Sequence, residues 1–221
     1  WGLQLGEGAP YLLALLFGFM MAHHLAAALL VPALWPYLGA VRSWLRPRRA
    51  VALVLSLVPG LAFYAYLPLR ASAQPVPNWG QASQWSGFAW LVTGRAYQSY
   101  LGGILTHQWP QRLAAWATIW VRELGVVGLA LVLLGVWRAW ERDRRSTLHG
   151  LTFLVLTSLY AMAYGTVDSY VYLLPVALFV AVWFAEGSLA LLCEVRGWLQ
   201  SRGMTALSTV VLLMVLALPA G

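Results

Sequence analysis

The chain has 221 residues, of which 61% are hydrophobic and only 10% are charged, whereas a soluble domain carries about 25% charged residues. The formal net charge is +7, but every basic residue is an arginine placed between apolar runs, so membrane topology explains the charge and a nucleic-acid partner is excluded. The single cysteine, Cys193, excludes an internal disulfide or a cysteine metal cluster.

Six apolar runs approach the length of about 20 residues that a membrane-spanning helix needs. They predict an all-α, polytopic membrane protein with one membrane domain over residues 1–221. Pro32 and Pro36 predict a bend near the end of the first run. The runs are Pro10–Tyr37, Ala50–Leu67, Leu124–Trp140, Leu148–Tyr164, Tyr170–Leu192 and Met204–Leu218.

The arginines predict the orientation of these runs. Ten of the fourteen lie in three alternate connections, at residues 42–49, 138–145 and 196–202, and such an excess is typical of the cytoplasmic side. Residues 68–123 and the turn Gly165–Ser169 then lie on the opposite side. We therefore predict a multi-pass protein of the inner (plasma) membrane whose segment 68–123 is extracytoplasmic.

The segment 68–123 is aromatic and contains six tryptophans, the residues that membrane–water interfaces favour. Apolar residues from Leu113 to Leu124 recur at helical spacing, which predicts an interfacial helix before Gly125 turns the chain inward. A second, weaker helix is predicted over Gln84–Thr93, ended by Gly94. We expect these helices to lie against the lipid headgroups.

Several polar residues allow either a structural or a functional interpretation. Arg70 follows the second run, where its guanidinium could bind a phosphate or anchor the helix end. Asn78 and Trp79 precede Gly80; they could contact a sugar, or simply form a turn in which the glycine takes a positive φ. Asp168 could cap a helix or face an outer cavity.

Two histidines and one glutamate fall inside the apolar runs. His23 and His24 are costly there unless they have partners, so they either pack with hydrogen bonds or line a substrate cavity. A metal site is not expected, because the sequence places no third ligand near them. Glu186 is either intramembrane or near the cytoplasmic headgroups. No cofactor-binding motif is present.

Four stretches, in order along the chain, resemble the protein O-mannosyltransferase-like family of bacterial membrane proteins. This family belongs to the C-type glycosyltransferase superfamily and is related to the animal transmembrane O-mannosyltransferase. Pro-Leu-Arg, Asn-Trp-Gly and Thr-Gly-x-x-Tyr are the most specific elements. The stretches are "GFMMAHHLAAALLVP", "YLPLRASAQPVPNWG", "FAWLVTGRAYQ" and "DSYVYLLPVALFVAVWFAEG".

The resemblance implies transfer of a hexose such as mannose from a polyprenyl-phosphate carrier to a hydroxyl acceptor, as on protein serine or threonine, outside the cytoplasm. Its partners would be the lipid-linked sugar donor, membrane lipids and a protein acceptor. Arg70 would bind the donor phosphate. The other residues expected to line the donor or acceptor site are His24, Asn78, Trp79, Arg95, Tyr97 and Asp168.

One part of the family pattern is missing. The acidic motif that the family carries after its first span has no counterpart here, since Glu7 does not match it, and the catalytic residue is therefore unassigned. Because the chain also begins at Trp1, we expect it to be a piece of a longer enzyme that lacks the first spans and is inactive alone.

Two other classes of function fit the same sequence. A transporter or lipid flippase would also use intramembrane histidines and a polar cavity, although the two halves show no matching pair of broken helices. A non-catalytic membrane scaffold would use the aromatic outer segment only to dock a partner.

Overall fold

The computed structural model describes residues 8–39, 42 and 46–204, and these residues are helical without any β-strand, which confirms the all-α class. Short 3-10 helices and turns connect the α-helices. The α-helices are α1 Ala9–His23, α2 Leu30–Ala33, α3 Pro47–Leu61, α4 Tyr66–Ser72, α5 Trp85–Val92, α6 Trp109–Arg142, α7 Arg144–Ala163 and α8 Leu174–Ser201.

Four helical segments of the described chain are long and apolar enough to cross a membrane. They coincide with the second to fifth apolar runs. The sixth predicted run, Met204–Leu218, lies outside the described residues after its first residue, so six spans stay a prediction. The four segments are Pro47–Ser72, Thr106–Arg142, Arg144–Ala163 and Ser169–Ser201.

The first predicted run is divided into several short helices rather than forming one span. Helix α1 ends at His23 because His24 has an extended backbone, with φ −154° and ψ 123°. A 3-10 helix, Leu25–Leu29, and the four-residue α2 follow. The main break therefore comes well before the bend predicted at Pro32 and Pro36, and a side chain stabilises it, as described below.

Three local predictions in the aromatic segment are confirmed. The predicted helix Gln84–Thr93 is α5, and Gly94 ends it with a left-handed backbone (φ 60°). Gly80 takes a positive φ of 68° in the Asn-Trp-Gly turn. The helix predicted to start at Leu113 is the first part of α6, which is interrupted by non-helical angles at Gly125 (φ 64°, ψ 179°). Whether these helices lie at an interface stays a prediction.

The chain forms two compact units, Trp1–Trp109 with Val155–Tyr172, and Pro110–Leu154 with Leu173–Gly221. In the first unit, α1 packs on α3 through glycines. A Cβ atom on Gly18 would lie 2.5 Å from the carbonyl oxygen of Leu57, and one on Gly60 would overlap the backbone of Gly18. The Tyr64 hydroxyl also donates to the Met21 carbonyl at 2.8 Å.

In the second unit, α6 packs on α8 in the same way. A Cβ atom on Gly135 would overlap the carbonyl of Trp183, and one on Gly187 would overlap the carbonyl of Leu131. Two ion pairs join the same helices, Arg142 with Glu186, and Arg138 with Glu194 at 3.2 Å. Glu186 is thus ion-paired with Arg142, the last residue of α6.

We expect Gly60→Ala to destabilise the first unit, because the added methyl group would force α1 away from α3. Overpacking of this kind costs roughly 1–3 kcal/mol. Gly197→Ala is the matched control, since a Cβ atom there meets no atom of the described residues within 4 Å. Unfolding measured in a mild detergent should show a loss of stability for Gly60→Ala and none for Gly197→Ala. Equal unfolding midpoints for the two variants would contradict the close packing of α1 on α3.

Candidate functional site

A cavity of about 610 Å³ opens within the first compact unit. Its volume is in the range of about 300–1,000 Å³ that is usual for small-molecule sites. The end of α1, the turn after α5 and the end of α7 contribute most of its polar side chains. It is lined by Ala22, His23, His24, Leu25, Tyr64, Leu91, Val92, Thr93, Gly94, Tyr97, Gln98, Leu101, Tyr160, Tyr164 and Tyr172.

Backbone pairing brings the turn after α5 to the end of α7. Leu101 and Tyr164 form an isolated antiparallel bridge. The Gly165 N–H donates to the Tyr100 carbonyl at 2.8 Å, and the Gly102 N–H donates to the Ala163 carbonyl at 3.2 Å. These bonds hold Tyr164 beside the segment that carries Tyr97.

Three tyrosines form one wall of the cavity. The ring centroids of Tyr160 and Tyr172 are 5.0 Å apart, and those of Tyr164 and Tyr172 are 5.2 Å apart, both in edge-to-face geometry. Tyr164 also donates a hydrogen bond to Tyr172. Burial raises the pKa of Tyr164 to about 12, so its hydroxyl stays protonated at physiological pH and remains a donor.

His24 has a defined tautomer because its side chain caps the next helix. The Nδ1 atom of His24 accepts the N–H of Ala26 at 3.1 Å, so a neutral imidazole must carry its proton on Nε2. The ring lies edge-on to Tyr172, with 5.2 Å between centroids. His24 therefore ends α1 and lines the cavity at the same time.

The cavity offers several polar groups to a ligand. Within the described chain, His24 Nε2 and the Tyr97 hydroxyl make no hydrogen bond. Gln98 donates from Nε2 to the Thr93 carbonyl at 3.2 Å, which leaves its Oε1 as an acceptor. None of the described residues that line the cavity is an aspartate, glutamate or arginine. The cavity therefore suits a neutral ligand rich in hydroxyl groups.

The structure brings together two of the predicted site residues, His24 and Tyr97. Arg70 and Trp79 are exposed and do not line the cavity. Asn78 Nδ2 donates to the Ala71 carbonyl at 3.4 Å, which supports its structural interpretation as part of a turn.

Two further predicted residues are neighbours of the cavity in sequence. Arg95 is exposed and lies between the lining residues Gly94 and Tyr97. Asp168 is also exposed, and its carbonyl accepts the Val171 N–H at 3.0 Å in the turn before α8. The roles assigned to these residues stay predictions.

Sequence reasoning missed Tyr64, Tyr160 and Tyr164 as lining residues. Tyr160 and Tyr164 are four residues apart at the end of α7, a spacing that puts both side chains on one face of the helix. A pair of phenols on one face of an otherwise apolar run was the signal available in the sequence. In the described residues, no group of three or more His, Cys, Asp or Glu side chains could hold a metal ion.

No protein-family model, curated protein or solved structure matches this chain.

We expect His24→Gln to destabilise the protein by about 1 kcal/mol, because glutamine cannot place an acceptor where Nδ1 caps the helix after α1. His24→Asn is the matched control, since its Oδ1 can accept the same N–H. Unfolding in detergent measures the stability of both variants. Equal losses in the two variants would contradict the capping role, and an imidazole ¹⁵N spectrum with the proton on Nδ1 would contradict the tautomer.

Proposed function

We propose that this chain forms part of a membrane glycosyltransferase that moves a hexose such as mannose from a polyprenyl-phosphate carrier to a hydroxyl acceptor, with protein serine or threonine as the acceptor class. The reaction takes place on the outer face of the inner (plasma) membrane. The observation that carries the proposal is the neutral, tyrosine-rich cavity of about 610 Å³, which has the polar groups that a sugar needs.

The cavity suits a hexose on chemical grounds. Each sugar hydroxyl both donates and accepts, and the cavity supplies an N–H donor at His24, a phenol at Tyr97 and an amide oxygen at Gln98. Aromatic rings present apolar faces for the C–H groups of a pyranose ring. Because the lining residues that the structure describes include no carboxylate and no arginine, we assign the sugar and not the phosphate to this cavity.

The phosphate of the carrier is bound by arginines outside the cavity. Arg95 follows the lining residue Gly94, and Arg70 lies in the last turn of α4. Neither guanidinium has an ion-pair partner among the described residues, so both are free to bind phosphate bidentately.

In the transfer itself, the acceptor oxygen forms a bond to the anomeric carbon while the bond from that carbon to the phosphate oxygen breaks. The polyprenyl phosphate leaves, and the acceptor proton passes to a base. Asp168 is the only carboxylate among the described residues of the first unit, and it lies four residues before the lining residue Tyr172. The base is otherwise unassigned, as the missing acidic motif implies.

The direct test is sugar transfer from synthetic polyprenyl-phosphate-mannose to a serine/threonine peptide by the full-length chain in lipid nanodiscs. We expect Tyr97→Phe to lower transfer by up to about tenfold, the value of one hydrogen bond to the substrate. Arg196→Gln, in the second unit, is the control and should keep full activity. A full-length chain that transfers no sugar, or that only moves the lipid across the bilayer, would overturn the proposal.

We expect Arg70→Ala to weaken binding of polyprenyl phosphate by about tenfold or more, because one charge-assisted bidentate contact is lost. Arg122→Ala removes an exposed arginine from the second unit and serves as the control. Fluorescence titration with polyprenyl phosphate in detergent measures the affinity of both variants. If the carrier binds Arg70→Ala and the unaltered chain equally well, Arg70 is not part of the phosphate site.

A further inference from the structure

A second cavity, of about 390 Å³, lies in the second compact unit beside the turn from α6 to α7. Residues of the end of α6, of that turn, of the start of α7 and of the first half of α8 line it. The proposed sugar transfer uses none of them. We propose that this cavity binds a phospholipid whose headgroup carries both a phosphate and a primary ammonium group.

One side of the cavity provides donors for a phosphate. Arg142 is exposed; its Nη2 donates to Glu186 Oε1, and its other N–H groups make no hydrogen bond to any described residue. The hydroxyl of Ser146 likewise has no partner in the described ranges. A guanidinium beside a hydroxyl is a common arrangement for binding phosphate oxygens.

The same side provides an acceptor for an ammonium group. Asp143 Oδ1 accepts the N–H groups of Arg145 at 3.0 Å and Ser146 at 3.2 Å, which caps α7. Asp143 Oδ2 makes no hydrogen bond within the described chain. A primary ammonium can donate to Oδ2, whereas a quaternary ammonium has no N–H to donate.

The charges around the cavity favour a zwitterionic headgroup over an anionic one. The charged residues that line it are one arginine, Arg142, and two carboxylates, Asp143 and Glu186, and Arg142 is ion-paired with Glu186. Asp143 therefore leaves one formal negative charge at the cavity without an ion-pair partner among the described residues. An anionic headgroup without an amine would meet the carboxylate of Asp143 with nothing to neutralise it.

The lining residues that α8 contributes are apolar except for Glu186, and two of them are also exposed on the outside of the helix. Leu178 and Val182 line the cavity and are also 71% and 56% exposed, so an acyl chain can lie along them. Phe179 also lines the cavity, and its ring packs against two others. Its ring centroid lies 5.8 Å from that of His149 and 5.7 Å from that of Phe153.

One segment that can cross a membrane ends at Arg142 and the next begins at Arg144, and Asp143 between them lines the cavity. We therefore expect the cavity to lie at the level of the lipid headgroups. The guanidinium of Arg144 lies 5.7 Å from the ring centroid of Trp140, and that of Arg138 lies 5.8 Å from the ring centroid of Trp137. Tryptophan and arginine side chains concentrate at this level of a bilayer.

Native mass spectrometry of the full-length chain, released from detergent with one added lipid at a time, tests the proposal. The three lipids are phosphatidylethanolamine, phosphatidylcholine and phosphatidylglycerol with identical acyl chains. We expect phosphatidylethanolamine to bind at least about tenfold more tightly than either of the others, the value of one charged hydrogen bond.

Asp143→Asn separates binding from folding, because asparagine also caps helices but carries no charge. We expect it to abolish the preference for phosphatidylethanolamine over phosphatidylcholine while the unfolding midpoint stays unchanged. Glu141→Gln, in the same turn but not lining the cavity, is the control and should keep the preference. Equal binding of the three lipids, tighter binding of phosphatidylglycerol, or an unchanged preference in Asp143→Asn would each overturn the proposal.

Discussion

The structure depends on close contact between helix backbones at glycines. Side chains that face lipid gain nothing from burial against other apolar side chains, so helices in a membrane associate through packing and small residues. Gly18 with Gly60 brings α1 onto α3, and Gly135 with Gly187 brings α6 onto α8. Both compact units contain such a contact among their described residues. The cavities and polar clusters described above lie beside helices that these contacts hold in register.

The parts of the fold that depend on local chemistry could be predicted from the sequence. Hydropathy located the four membrane-length segments, because a segment's length and apolar content alone decide whether it can span a membrane. Gly80, Gly94 and Gly125 were expected to turn the chain, since glycine adopts positive φ at no steric cost. Such features need no knowledge of which segments meet in space.

The break at His24 and the tyrosine wall could not be predicted in the same way. Helix α1 ends where an imidazole caps the following residues, a geometry that hydropathy does not encode and that the nearby prolines obscured. Tyr164 and Tyr97 come together through the bridge between Leu101 and Tyr164, a pairing of segments distant in sequence. For the site, sequence reasoning therefore found His24 and Tyr97 one at a time but not the cavity that joins them.

The two cavities differ in the charges of their walls, and this difference has a consequence for their response to salt. The tyrosine cavity has neutral walls apart from its histidines, so what it binds is attracted by short-range contacts that ions in solution do not screen. The cavity beside Arg142 and Asp143 attracts its ligand through formal charges. At physiological ionic strength the Debye length is about 8 Å, so ions in solution already screen this attraction at exposed groups. A rise in ionic strength thus weakens the attraction that Arg142 and Asp143 exert more than the contacts that the walls of the tyrosine cavity make with a neutral sugar.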